Sequence, residues 1–176
     1  MKKFIITLLI IVVVGGLIGF GISNKPKQNS DILRIHIRAN SNEVIDQNVK
    51  YKVKDAVVSA MLPYLSTCKT KQEAELKTKE NFDLIEKTAN KVLKENGFNY
   101  TSKAKLAYEE FPTRQYGNQT YESGFYDALI LELGSGTGDN WWCVVYPPLC
   151  FLQTNNASEV KYTSKLVELI NKIFNK

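Results

Sequence analysis

Histidine is nearly missing from this chain. His36 is the only one among 176 residues, beside three cysteines, two methionines and five prolines. So few ligands, none at a metal-binding spacing, give no reason to expect a zinc or other metal centre. No Cys-x-x-Cys, His-Glu-x-x-His or Gly-x-Ser-x-Gly sequence occurs, so the common redox, zinc-protease and serine-hydrolase signatures are absent. No Gly-Lys-Ser/Thr occurs either, and no internal repeat is evident. The formal charge of +5 is spread along the chain without a dense basic block, which argues against nucleic acid as a partner. No cofactor is expected.

What is present starts with Lys2 and Lys3, then an uncharged run from Phe4 to Ile22 that is most apolar up to Val14. A basic start, an apolar stretch and small residues around Gly19 to Gly21 describe an export signal. At about 1.5 Å rise per residue the same run is long enough to cross a bilayer, so residues 1–23 suit a cleaved signal peptide or a retained membrane anchor. Residues 24–31 are polar, with one proline, and read as a linker. Residues 32–176 then form one domain, large enough to bury a core.

The first stretch of that domain alternates. Leu33, Ile35, Ile37 and Ala39 fall on one face of a strand, and Arg34, His36 and Arg38 on the other, which predicts a half-buried strand with a polar side. Asn40, Ser41 and Asn42 end it and offer capping groups to a helix. The apolar residues of that helix recur from Val49 to Tyr64, with Pro63 near its end. A second helix is predicted from about Lys71 to Asn96, stopped by Gly97. After Phe98 the period falls to two, with one strand around Ala104 to Tyr108, irregular or edge structure from Phe111 to Gly117, and a strand apolar on both faces from Phe125 to Leu133. A last amphipathic helix is predicted over Val160 to Ile173. The sum is a single α+β domain, with a mainly antiparallel sheet of about four strands packed with about three helices after the hydrophobic leader.

The most distinctive stretch is Gly134 to Phe151. It holds both tryptophans, Cys143 and Cys150, the only Pro-Pro pair and the densest glycines. Gly134, Gly136 and Gly138 suggest a phosphate loop, but such a loop opens onto a helix, whereas Trp141 to Tyr146 has strand chemistry. The glycines therefore read as a mobile connection that pairs Trp141–Tyr146 with the preceding strand, and Pro147-Pro148 ends the pattern. Adjacent strand residues face opposite ways, so Trp141 and Trp142 lie on different sides of the sheet. One fills the core; the other is covered, or exposed as an anchor for a partner.

Cys143 and Cys150 flank the Pro-Pro turn of an apparently exported chain. They form either a disulfide, leaving Cys68 free, or two small buried hydrophobes. A thiol-dependent envelope hydrolase would need Cys143 or Cys150 beside His36. A cell-wall glycan binder would need an exposed Trp as a stacking platform. Nothing in the spacing assembles either site.

Two blocks go further. Arg34-Ile-His-Ile-Arg-Ala-Asn-Ser41, followed by Asp46-Gln47, Lys50 and Val53-Lys54-Asp55, resembles the N-terminal block of the stage II sporulation protein R family. Tyr121-Glu-Ser-Gly-Phe-Tyr-Asp-Ala-Leu129 and the Gly134–Phe151 stretch resemble its C-terminal block, with Asn140-Trp-Trp-Cys-Val-Val-Tyr-Pro-Pro-Leu-Cys-Phe151 the most specific part. The resemblance implies a forespore protein exported into the space between forespore and mother cell, free or tethered through its N-terminal segment. There it would activate a membrane-embedded aspartic protease, stage II sporulation protein GA, which processes the sigma-E precursor. That role is a ligand's, not an enzyme's. The partner-binding candidates are Asn140, Trp141, Trp142, Pro147 and Pro148, with Arg34, His36 and Asn40 from the first block.

Overall fold

A computed structural model of the chain describes residues 31–116 and 118–151. The expected leader, most of the linker and the last predicted helix, Val160 to Ile173, lie outside the described residues. Strand β1 (Leu33–Arg38) is followed by three helices: α1 (Val44–Leu65), α2 (Lys71–Glu80) and α3 (Phe82–Glu95). Then come the long strand β2 (Ser102–Phe111), the short β3 (Arg114–Tyr116) and β4 (Gln119–Tyr121), the long β5 (Gly124–Leu133), β6 (Asn140–Tyr146) and a 3-10 turn at Leu149–Phe151. The main sheet has the order β2-β5-β1-β6, and β3 and β4 form a separate ribbon. β1 runs parallel to β5, while β2–β5 and β1–β6 are antiparallel. The α+β class, the mainly antiparallel sheet and the helices packed on it agree with the sequence.

Local chemistry explains the boundaries. Thr70 caps α2, its hydroxyl accepting from Glu73 N–H at 3.2 Å, while the Glu73 carboxylate accepts from Lys69 N–H at 2.8 Å. The helix predicted over 71–96 breaks at Asn81, whose backbone leaves the helical region and whose side-chain amide donates to the Lys77 carbonyl. A short polar side chain that can satisfy the backbone itself favours such a break. Gly97, at φ +83, ends α3 as expected, with Gly97 N–H donating to Lys94 O and Phe98 N–H to Leu93 O. Those two bonds are the paired closure that a left-handed glycine permits after a helix.

Three further expectations change. β6 does not pair with β5; β1 lies between them, so the glycine connection passes over the end of β1. The connection is also pinned rather than mobile. Ser135 N–H donates to Asn40 Oδ1, the Ser135 and Thr137 hydroxyls donate to the Asn40 carbonyl, Gly138 N–H donates to Ala39 O, and Asp139 N–H donates to Asn42 Oδ1. A Cβ at Gly138 would overlap the Ser41 carbonyl, and one at Gly134 would overlap the Asn40 amide, which is why these positions need glycine. Finally, β1 is buried on both faces: Arg34 is 0% exposed and His36 6%. A strand with a neighbour on each side, helices on one face and a ribbon on the other has no solvent side.

The helix face of the sheet is the main core, where Ile35, Ile37, Leu129, Leu131, Leu133, Cys143 and Val145 join Val49, Val53, Val57, Met61, Ile85, Ala89 and Leu93. The opposite face carries a smaller cluster of Phe111, Tyr126, Ala128 and Ile130, with Trp142 packed against it.

Candidate functional site at the seam of the first and last strands

The two sequence blocks, about a hundred residues apart, become neighbouring strands. In the β1–β6 register His36 faces Trp142, Arg38 faces Asn140 and Ile37 faces Trp141. Strand alternation then sorts the candidates. Arg34, His36 and Trp142 lie on the small-cluster face, whereas Trp141 packs against the helix-side core with the Lys54 ammonium 5.6 Å from its ring centre. The tryptophans thus face opposite sides, as expected, and both are half-buried.

On the small-cluster face the His36 ring stacks on Trp142 at 5.5 Å and meets Phe111 edge-on at 5.8 Å. Its Nδ1 lies 3.2 Å from Glu109 Oε2. Glu109 also accepts from Arg38 at 2.8 Å, and Arg38 reaches Glu132 at 2.7 Å, with Lys105 3.0 Å from the same carboxylate oxygen. Burial lowers the proton affinity of His36 most. Asn140 and Glu109 oppose that, and Arg38 adds a smaller lowering through its charge. Burial raises the Glu132 carboxyl, but hydrogen bonds and charge from Lys105 and Arg38 outweigh it and hold the carboxyl below its ordinary range.

The ribbon of β3 and β4 covers this face through Tyr116 and Arg114. The Tyr116 hydroxyl donates to the Trp142 carbonyl at 3.0 Å and accepts from Arg34 Nη2 at 3.1 Å, and burial pushes its ionisation up to about 12. The Arg114 guanidinium stands 4.6 Å from the centre of the Trp142 ring. His36 and Arg114 therefore both pack on that indole, and Trp142 does not offer the open platform that glycan stacking requires.

Arg34 is unusual among the buried charges. Lys50 is matched by the Gln47 side chain and the Asp139 carbonyl, and Lys71 by Asp127 and Glu75. Arg34 has the Tyr116 hydroxyl and two aromatic rings, Phe111 at 4.4 Å and Tyr126 at 4.8 Å, while its Nε and Nη1 are buried without partners. Desolvating a charge costs several kcal/mol, and a desolvated cation–π contact returns about 2 kcal/mol. The two rings and one hydroxyl offset much of the cost and still leave two donors unmet.

The remaining candidates have structural places. Asn40 ties the glycine connection to α1, its amide donating to Asp46 Oδ2 at 2.9 Å. Burial raises the Asp46 carboxyl, but hydrogen bonds from Ser41, Tyr100 and Asn40 outweigh this and hold it below its ordinary value. Pro147 is half-buried after a cis Tyr146–Pro147 peptide, and Pro148 is buried. Cys143 and Cys150 are unbridged, buried neighbours on the helix side of the sheet. Burial, with Cys143 alongside, raises the Cys150 thiol well above its usual value, opposite to what a nucleophile needs. His36 is on the other face, so the sheet itself separates the imidazole from both thiols and no Cys-His pair is assembled. Among the described residues no cluster has the composition of a metal site.

Sequence reasoning missed Glu109, Phe111, Arg114, Tyr116 and Tyr126. One signal was available: Arg34, His36 and Arg38 put three cation-capable groups on one strand face, which requires acidic or aromatic neighbours if that face is covered.

A family model described as Stage II sporulation protein R matches residues 29–156. Stage II sporulation protein R of Bacillus subtilis (strain 168) is 35% identical over 129 residues, which is 73% of this chain and 58% of that protein. The chain therefore spans less than two thirds of the curated relative's length. No solved structure matches it.

Proposed function

The chain belongs to the stage II sporulation protein R family, and from that premise we propose that it is an exported signalling protein of sporulation, a ligand rather than an enzyme. In this reading it crosses the forespore membrane into the intermembrane space, free or held by its N-terminal segment. There it activates the membrane-embedded protease stage II sporulation protein GA, which then processes the sigma-E precursor. No helix among the described residues is long and apolar enough to cross a membrane.

The observation that carries the proposal is the pairing of the two family-like blocks as adjacent strands, which gathers Arg34, His36, Asn140 and Trp142 at one seam. A recognition surface shared by distant blocks is what a binding role asks of them. Trp142 and Asn140 sit at the accessible margin, whereas Arg34 and His36 are reachable only if the ribbon shifts. Asn40 and Pro148 would act through the shape of their loops.

The test is co-expression in a non-sporulating bacterium of the full chain, the candidate protease and the sigma-E precursor. Precursor shortening that requires the chain is expected. An uncut precursor, in cells where the Bacillus subtilis relative drives cleavage by the same protease, would overturn the reading.

A further inference from the structure

Four buried nitrogen atoms on this face of the sheet have no partner: Arg34 Nε and Nη1, Trp142 Nε1 and His36 Nε2. Their rings and guanidinium are linked through Phe111, which contacts both Arg34 and His36, and through the His36–Trp142 stack. At least three of these atoms are donors, because an arginine side chain and an indole offer nothing else. No carboxylate of the described residues pairs with Arg34, although this is a fully buried cation that cannot shed its charge. Native interiors rarely leave several donors and a whole charge unmet at one place.

We propose that this cluster is a receptor for a carboxylate, presented by an acidic group of a protein partner or by a small free carboxylate. The Tyr116 hydroxyl holds the acceptor's place until that group arrives. Charge matching selects the class. Arg38 is already balanced by Glu109 and Glu132, which leaves Arg34 as the one fully buried positive charge, with the exposed Arg114 guanidinium at the margin; a single carboxylate matches the buried charge. Donor type agrees: a guanidinium and an indole N–H suit two planar oxygens, while the Phe111 and Tyr126 rings enclose the guanidinium. Access runs beneath the ribbon, whose hydrogen bonds to Arg34 and to the Trp142 carbonyl are both made by Tyr116. Displacing that phenol frees Arg34 Nη2, and the oxygen leaving it is replaced by a charged one.

The test uses the full chain in nonionic micelles with 15N-labelled tryptophan. The chain has two tryptophans, so two indole signals appear, and Trp141→Phe identifies that of Trp142. Sodium acetate, a blocked glutamate (N-acetylated and C-amidated) and sodium phosphate are titrated at constant ionic strength. Acetate, the blocked glutamate or both should move the Trp142 signal saturably. Stronger binding of the blocked glutamate points to a protein partner, and a response to acetate alone points to a free small carboxylate. Tyr116→Phe removes the competing oxygen and should tighten binding about ten-fold. Arg34→Met should abolish the response.

No saturable movement in both the parent chain and Tyr116→Phe would overturn the proposal. So would a response to phosphate alone, or an equal response in a folded Arg34→Met. If Arg34→Met does not fold, the parent and Tyr116→Phe titrations still decide. No protease is present, so the outcome is separate from that of the signalling reading.

Discussion

On the helix-covered face of the sheet, Ile35, Ile37, Leu129, Leu131, Cys143 and Val145 enter one continuous apolar cluster. One residue along the same strands, the other face presents Arg34, His36, Arg38, Glu132 and Trp142, joined by Glu109 from β2. The pleat makes both faces from the same backbone, so their difference is a matter of sequence alone. The first face gains roughly 25 cal/mol for each square ångström of apolar surface removed from water. The second spends part of that gain on desolvating charges, which ion pairs and cation–π contacts only partly offset. That face gives up stability at the donors it leaves unmet, alongside the smaller apolar cluster it also carries. That contrast, rather than any single residue, directs attention to the β1–β6 seam.

The strongest way to break the contrast is to cut into each face in turn. Ile35→Ala, on the helix side, should cost about 2–5 kcal/mol through lost burial and the cavity left behind. Urea unfolding followed by circular dichroism reads this directly. His36→Gln, one residue away on the other face, should cost less than half as much, because it removes no aliphatic volume from the main core. Equal losses would mean that both faces carry the fold alike, and the distinction drawn here would fail.

The join between the faces comes next in size. Gly138→Ala would place a methyl group against the Ser41 carbonyl, a backbone atom that cannot swing aside. Overpacking of this kind costs about 1–3 kcal/mol. Hydrogen exchange should show the loss concentrated at the amides of Ser135 and Asp139, whose acceptors are the Asn40 and Asn42 side chains. A variant as stable as the parent would mean that the loop is held more loosely than its hydrogen bonds indicate, and would sharpen the contrast by assigning all rigidity to the sheet.

Much of this was legible in the chain, and the failures share a physical cause. The period of two at Leu33 to Arg38, the helical stripe from Val49 onward and the opposed tryptophans follow from local geometry, which a sequence carries openly. The partner of β6 does not. Trp141 to Tyr146 reads as a strand wherever it pairs, and its place beside β1 depends on a connection anchored by Asn40 and Asn42 far upstream. The covered state of Arg34 was hidden for the same reason. The residue that covers it, Tyr116, lies in a stretch with no periodicity, 82 positions along the chain. Only the resemblance linked the two blocks before the structure did.

The smallest expected effect concerns pH and isolates the polar face by itself. Burial, the leading cause, lowers the proton affinity of His36 below its ordinary value of 6.5; Asn140 and Glu109 oppose the shift without reversing it, and Arg38 adds to it. The folded protein therefore favours the neutral ring, and the unfolded chain takes up the proton first. Stability from this residue is fully present above about pH 6.5, and it is lost as pH falls from there through the lower folded value. Thermal melts between pH 7.5 and 5.5 should show Tm falling with acidity, and His36→Gln should flatten that slope. The assignment is unusually clean, because no other histidine exists in the chain and the Asp46 and Glu132 carboxyls, both held below their ordinary values, titrate lower still. A slope that persists unchanged in the variant would place the titrating group elsewhere. It would also show that the Trp142 stack and the Glu109 contact hold the ring equally well in either charge state, which removes the energetic distinction between the polar face and the apolar one at the residue where the two blocks meet.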